Sequence, residues 1–203
     1  MYYLKFITDI PKMIEGFGWW IAGLFGMGRG LRNVFKCQEN TEKFISIHQE
    51  INERLTELRL NTDSMRTCVL QFHNGGYFMD GISMMKFSMT HESCHKHYAR
   101  QAVKLKDAQC TLFISLLARM MENQAEIWTT NSFEKSNTAR FLEDEYISHI
   151  ACLPLRNKNI IIGFVMVQWH KDYSSDVMRS GYYMEEFVKQ KDSIELQLSY
   201  QKN

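Results

Sequence analysis

The chain has 203 residues, 45% hydrophobic and 23% charged, enough for one good-sized domain plus an appendage. A net charge of +1 with no Arg-rich stripe leaves no electrostatic footprint for nucleic acid, and 2 prolines exclude Pro-rich linkers and tails. The cysteines, 37, 68, 94, 110 and 152, form no CxxC pair, which excludes a disulfide framework and fits reduced, cytosolic usage.

The N-terminal segment, residues 1–36, carries Lys5, Lys12, Arg29, Arg32 and Lys36 against Asp9 and Glu15. That basic flank suits an anionic membrane surface. Gly16 to Gly28 holds no charge. As a helix it spans roughly 20 Å, short of the about 30 Å of a bilayer core. Trp19 and Trp20 favour the membrane interface, and Gly18, Ala22 and Gly26 form a small-xxx-small series. Two readings stand. Residues 10–36 associate with a membrane, spanning it or lying in its interface, or they form a helix that faces a partner. A spanning segment places the following domain in the cytoplasm, because Arg29, Arg32 and Lys36 follow the run. The mixed-charge flank and the lack of a small-x-small site argue against a signal peptide.

Residues 37–61 read as a connecting helix. Phe44, Ile47, Ile51, Leu55 and Leu58 make one apolar stripe, with charges on the other faces. The stripe faces a core or pairs in a parallel dimer stalk.

The domain proper covers 62–203. Arg66 to Phe72 reads as a buried strand ended by a turn at His73-Asn74-Gly75-Gly76. Gly81 to Thr90 is a second strand, with Met85, Phe87 and Met89 on one face and Lys86, Ser88 and Thr90 on the other. A polar stretch over 91–107 leaves the sheet. Leu112 to Asn123 is a helix, Glu126 to Thr130 a short strand, and 131–145 a loop or helix. Ile147–Leu155 and Ile160–Trp169 are strong strands joined by a four-residue turn, Arg156 to Asn159. A final helix runs from about Tyr182 to Tyr200, with Tyr183, Phe187, Ile194 and Leu198 inward. The order predicts an α+β fold, an antiparallel sheet with helices on one face.

The closing pair, ACLPL–RNKN–IIIGFVMVQW followed by a helix, resembles the end of a GAF domain. The stretch VLQFHNGGYFMDGISMMKFSMTHE resembles a GAF-like group of phage and bacterial proteins with a short N-terminal membrane helix. It is carried by Gln71, Phe72, His73, Asn74, Gly75, Gly76, Gly81, Ser83, Lys86, Ser88, Thr90, His91 and Glu92. The resemblance covers about Thr62 to Tyr200. It implies a GAF/PAS-like sheet flanked by helices, serving ligand binding or dimerisation. The pocket residues of cyclic-nucleotide GAF domains have no clear counterpart, and Cys94-His95 makes no convincing bilin-attaching context.

Candidate ligand residues are Gln71, His73, Asn74, Lys86, Thr90, His91 and Glu92. His73-Asn74 stands at a predicted strand end beside glycines that admit a ligand to the backbone, or simply forms the turn. His91-Glu92 ends the second strand, where it meets a ligand or pins the next loop. Convergence on one concave face would make a pocket. His91, Cys94, His95 and His97 can bind metal one by one, but HxxCHxH matches no common zinc spacing, and no metal or cofactor is expected. Cys94 beside a histidine is the one nucleophile–base pair in sight. No P-loop, G-x-S-x-G or HExxH is present, and GMGRG at 26–30 follows an apolar helix, the wrong context for a dinucleotide. The expectation is therefore a non-enzymatic, membrane-tethered GAF-like module for small-ligand or protein binding, with a homodimer through helices 38–61 and 182–200. The alternatives are a phage virion-associated or accessory scaffold without a small ligand, and a holin- or lysis-type membrane protein.

Overall fold

The computed structural model describes residues 40–77, 79, 81, 83–122, 126–170 and 181–200. The predicted membrane segment lies outside them. Among the described residues no helix is long and apolar enough to cross a membrane. The chain divides into two units, Met1–Ser46 and Ile47–Asn203. In the first, residues 40–46 are helical.

In the second unit, helical residues 47–61 form α1. Then come β1 (Arg66–Tyr77), β2 (Ser83–Cys94), β3 (Ala108–Gln109), a 3-10 turn (Cys110–Phe113), α2 (Ile114–Met121), β4 (Ile127–Thr129), a second 3-10 turn (Thr130–Phe133), α3 (Asn137–Asp144), β5 (Ile147–Asn157), β6 (Ile160–His170) and α4 (Gly181–Tyr200). The six strands make one sheet in the order β3-β2-β1-β6-β5-β4, antiparallel throughout.

Helices cover both faces of the sheet, where one covered face was expected. The reason is visible in β6. Phe164 and Met166 face one way, with Cys68, Leu70, Phe87, Ile150 and Cys152, against residues of α2 and α3. Val165, Val167 and Trp169 face the other way, with Ile51, Leu55 and Leu58 of α1 and Phe187, Ile194 and Leu198 of α4. A strand that carries apolar residues on both faces needs cover on both sides, whereas alternation would need it on one. The apolar stripe of 47–58 is thus core-facing: Ile51, Leu55 and Leu58 are fully buried.

Two turns differ from expectation. Asn74-Gly75-Gly76 does not end β1, which continues to Tyr77; the register slips between Asn74 and Tyr77, so the glycines form a bulge. Gly76 takes φ 120°, open to glycine and costly for other residues. The polar demand of the bulge is met by Asn74, whose Oδ1 accepts from Ser83 Oγ at 2.7 Å and whose Nδ2 donates to the Tyr77 hydroxyl at 3.2 Å. At the other hairpin, β5 reaches Asn157, leaving only Lys158 and Asn159 as the loop. Both have positive φ, 48° and 67°, the backbone of a type I′ turn that matches strand twist. The expected four-residue turn is thus a two-residue one.

The predicted helix at 112–123 is a 3-10 turn leading into α2, and the polar 131–145 stretch holds α3. Ser136 caps α3, its Oγ accepting from Ala139 N at 3.1 Å. The four inward positions read for the last helix are all buried in α4.

Candidate functional site

A second bulge decides what the β1–β2 hairpin presents. Leu70 pairs with Met89, but Val69 pairs with His91, so Thr90 is an extra residue in β2. Side chains alternate along a strand, and one inserted residue reverses the alternation beyond it. Before the bulge, Phe87 and Met89 enter the core that contains Phe164. Lys86 and Ser88 point the other way, opposite His73 and Gln71. After it, His91 joins Val69 on the α1 side, and Glu92 pairs with Cys68 on the Phe164 side.

The expected set therefore separates. Gln71, His73 and Lys86 share one half-buried face with Ser88. His73 Nε2 meets Ser88 Oγ at 2.9 Å and Asp107 Oδ1 at 3.4 Å. Ser88 Oγ also accepts from Asp107 N at 2.8 Å. The Lys86 chain lies across Gly75, where a Cβ would stand 2.6 Å from Lys86 Cδ. Asn74 is committed to the bulge near the hairpin tip. Thr90 is exposed, with its hydroxyl 3.0 Å from His91 Nδ1 and 3.4 Å from the Val69 carbonyl. His91 lies on the Gln71 face but is buried under α1, its Nε2 2.6 Å from His48 Nδ1, with the two rings stacked at 4.8 Å. Burial, then the charge of His48, lower the His91 pKa to about 4; burial also lowers that of His48.

Glu92 belongs to a different structure altogether. Its Oε1 accepts from Arg66 Nε and from Gln101 N, each at 2.8 Å. The Arg66 and Glu92 side chains are 2% and 4% exposed. Arg66 also donates to Gln168 Oε1 at 2.6 Å and to the Ala99 carbonyl. Gln168 Nε2 donates to Gln101 Oε1 at 3.2 Å, and Gln101 Nε2 to Glu145 Oε2 at 2.8 Å. Lys104 pairs with Glu145. Burial would raise the Glu145 pKa, but the hydrogen bonds from Lys104 and Gln101 and the charges of Lys104 and Arg66 outweigh it and lower it. The network pins the 95–107 loop to β1, β2 and β6. A buried ion pair needs such hydrogen bonds to offset its desolvation, and here they fall on Glu92 Oε1, while Oε2 is buried without a partner. Sequence reasoning missed Arg66, Gln101, Glu145 and Gln168; the signal was Gln168 itself, a polar residue inside an apolar strand that demands a buried partner.

The His/Cys run does not assemble. Cys94 Sγ faces the carbonyls of Tyr98 and His95 at 3.4 and 3.5 Å. The His95 and His97 rings are 5.1 Å apart. Among the described residues no three His, Cys, Asp or Glu side chains are placed to hold a metal. The thiols of Cys68 and Cys152 are buried, which pushes their pKa values well up and away from nucleophilic use.

Two clefts border α4. The larger, about 710 Å³, runs between the β5–β6 turn and α4, lined by Arg156, Lys158, Ile160, Ile162, Glu195 and Leu196 among others. The second follows Met184, Val188 and Lys189. Neither touches the predicted ligand residues. The core beneath the β1–β2 hairpin is filled by Phe72, Phe87, Phe113, Phe141 and Phe164, with ring centroids 5.2–6.5 Å apart in successive contacts.

No family model matches the sequence, and no curated protein matches it. Solved structures do. The phycoerythrobilin-bound GAF domain from a cyanobacterial phytochrome is 11% identical over 81% of this chain and 92% of that one, with a TM-score of 0.55. The GAF domain region of a Geobacter sulfurreducens PCA protein is 11% identical over 80% and 99%, with a TM-score of 0.53. The blue-light absorbing form of the Thermosynechococcus elongatus PixJ GAF domain is 11% identical over 78% and 88%, with a TM-score of 0.52. At these identities the likeness carries the fold: it is GAF-like.

Proposed function

We propose that the chain is a non-enzymatic GAF-like binding module, tethered to a membrane by residues 10–36 with the globular unit in the cytoplasm. It takes a small polar ligand or a partner protein at Gln71, His73 and Lys86 and relays the event through α1. A homodimer through helices 38–61 and 182–200 brings two such units together. One observation carries this reading. Gln71, His73, Lys86 and Ser88 share a half-buried face of a hairpin whose opposite face is packed with phenylalanine. Polar side chains convergent over a rigid base are what a binding surface requires. A GAF-like fold is a frame for such surfaces, and the site itself must supply the specificity.

The test is mass spectrometry of the full chain purified under native conditions, followed by titration of whatever is retained. A retained small molecule, with affinity falling at least about tenfold in His73→Ala or Lys86→Met, supports the reading, since a charge-assisted hydrogen bond is worth about 1.5–3 kcal/mol. An empty chain whose melting temperature is unchanged across nucleotides, metals and tetrapyrroles overturns the small-ligand form. The filled phenylalanine core favours a second reading in that case, an interaction scaffold such as a phage accessory protein. Its mark is a partner protein lost on Lys86→Met.

A further inference from the structure

Among the described residues, three residues of the β1–β2 hairpin make polar contacts with α1. Thr67 Oγ1 donates to the Leu55 carbonyl at 2.6 Å. Ser93 Oγ meets Thr56 Oγ1 at 3.0 Å and accepts from Arg59 Nε at 3.2 Å. Nearer the start of α1, His48 Nδ1 meets His91 Nε2 at 2.6 Å. The first two contacts are indifferent to pH in the neutral range. The third is made of two imidazoles.

At neutral pH one proton arrangement makes hydrogen bonds of this contact and of both Thr90 contacts beside it. His48 Nδ1 donates to His91 Nε2, His91 Nδ1 donates to Thr90 Oγ1, and the Thr90 hydroxyl donates to the Val69 carbonyl. Protonation of His91 Nε2 puts N–H groups head to head at 2.6 Å, and with His48 charged as well it puts two positive rings in a stack. The charged groups on the neighbouring elements are engaged elsewhere. On α1, Arg54 pairs with Glu50 and Glu57, Glu53 accepts from Gln49, and Arg59 is turned to Ser93. On the hairpin, Glu92 is on the opposite face with Arg66, and His73 is with Asp107. Among the described residues, the charge that acts on His91 is that of His48, and it opposes protonation.

We propose that the stacked His48–His91 pair is a proton-operated latch, which holds the start of α1 against β2 at neutral pH and releases it in weak acid. The sign follows from linkage. The folded-state pKa of His91 lies below that of a free imidazole, so the released state takes the proton first. The latch is at full strength above about pH 6.5 and weakens as pH falls toward about 4. It extends the relay reading but does not depend on it, because it needs no ligand.

Hydrogen exchange by mass spectrometry on the full chain tests it. Between pH 7.5 and 5.0, corrected for the intrinsic rate, exchange in peptides covering 47–55 should rise about 30-fold, the ratio set by pKa values of 6.5 released and about 4 latched. Peptides of β5 and β6 should not change. In His91→Phe the rise should vanish. An equal rise in that variant, or none in the wild-type chain, overturns the latch. If His91→Phe does not fold, NMR titration of the wild-type rings decides. His91 titrating at or above about 6.5, the free-imidazole value, overturns the proposal, and a value near 4 to 5 upholds it.

Discussion

Glu92 is a ligand candidate by sequence, and in the structure it is paired with buried Arg66, so replacing it discriminates the two roles. Glu92→Gln keeps the side-chain length and the Oε1 acceptor. The hydrogen bonds from Arg66 Nε and Gln101 N, both 2.8 Å, survive; the charge is lost, and the amide nitrogen takes the place of the buried, unpartnered Oε2. Arg66 is then a guanidinium 2% exposed that has lost its direct ion-pair partner. Breaking a buried pair from one side costs roughly 3–5 kcal/mol, and retention of the acceptor puts this variant at about 3 kcal/mol. For a unit of this size that is roughly a 10 °C fall in melting temperature. Glu92→Ala also orphans two donors at about 1–3 kcal/mol each, and should approach the threshold of unfolding. Adding Arg66→Met to Glu92→Leu should recover part of the loss, because the stranded charge is gone while Gln168 and the Ala99 carbonyl lose a donor. The assay is urea and thermal unfolding of all four proteins. A Glu92→Gln variant within about 1 kcal/mol of the parent would refute the argument, since no buried charge could then be depending on that carboxylate.

Gly163 sits where β6 passes β1. A Cβ there would stand 2.2 Å from the Leu70 carbonyl oxygen and 2.9 Å from Gln71 Cα, backbone atoms that cannot rotate aside. Gly163→Ala should cost about 3 kcal/mol, from overpacking plus a strained ladder bond, and unfolding curves will report it. The buried thiols of Cys68 and Cys152, with pKa values pushed up by burial, should resist alkylation at pH 8 in the native chain and react fully in denaturant; native modification at the rate of an exposed thiol would contradict their placement.

Strand identity was legible wherever the apolar pattern was unbroken. β5 and β6 emerged from their runs, and α4 from its 3.6-residue spacing. The second covered face was legible too, had the continuity of Ile160–Trp169 been taken as burial on both sides. What could not be read was register. Asn-Gly-Gly is a strong turn signal, but a bulge uses the same residues, and local sequence does not say which. Thr90 carries no mark of an extra residue, so the faces of Lys86, His91 and Glu92 could not be assigned together. His48 was invisible as a site residue because its partner lies 43 positions away. The charged network was likewise hidden, since a basic residue opening a strand looks solvent-facing until Gln168 asks for a partner.

The Thr90 bulge is what lets one strand serve two faces. Without it, His91 would fall on the side of Cys68 and Leu70, and Glu92 would lie beneath α1. Arg66 would then be left with an imidazole in place of a carboxylate, and His48 with a carboxylate in place of an imidazole. The core pairing would lose its counter-charge, and the α1 contact would become an ion pair that strengthens on protonation of His48. The bulge therefore fixes two opposite properties in adjacent residues: a permanent charge pair that locks the 95–107 loop, and a neutral ring pair whose hold on α1 is weakened by a proton. Lys86 and Ser88 lie a few residues along β2 from that pivot. In the proposed relay, a ligand that shifts the strand at Lys86 would move His91 with it, and α1 would be the element that feels the movement.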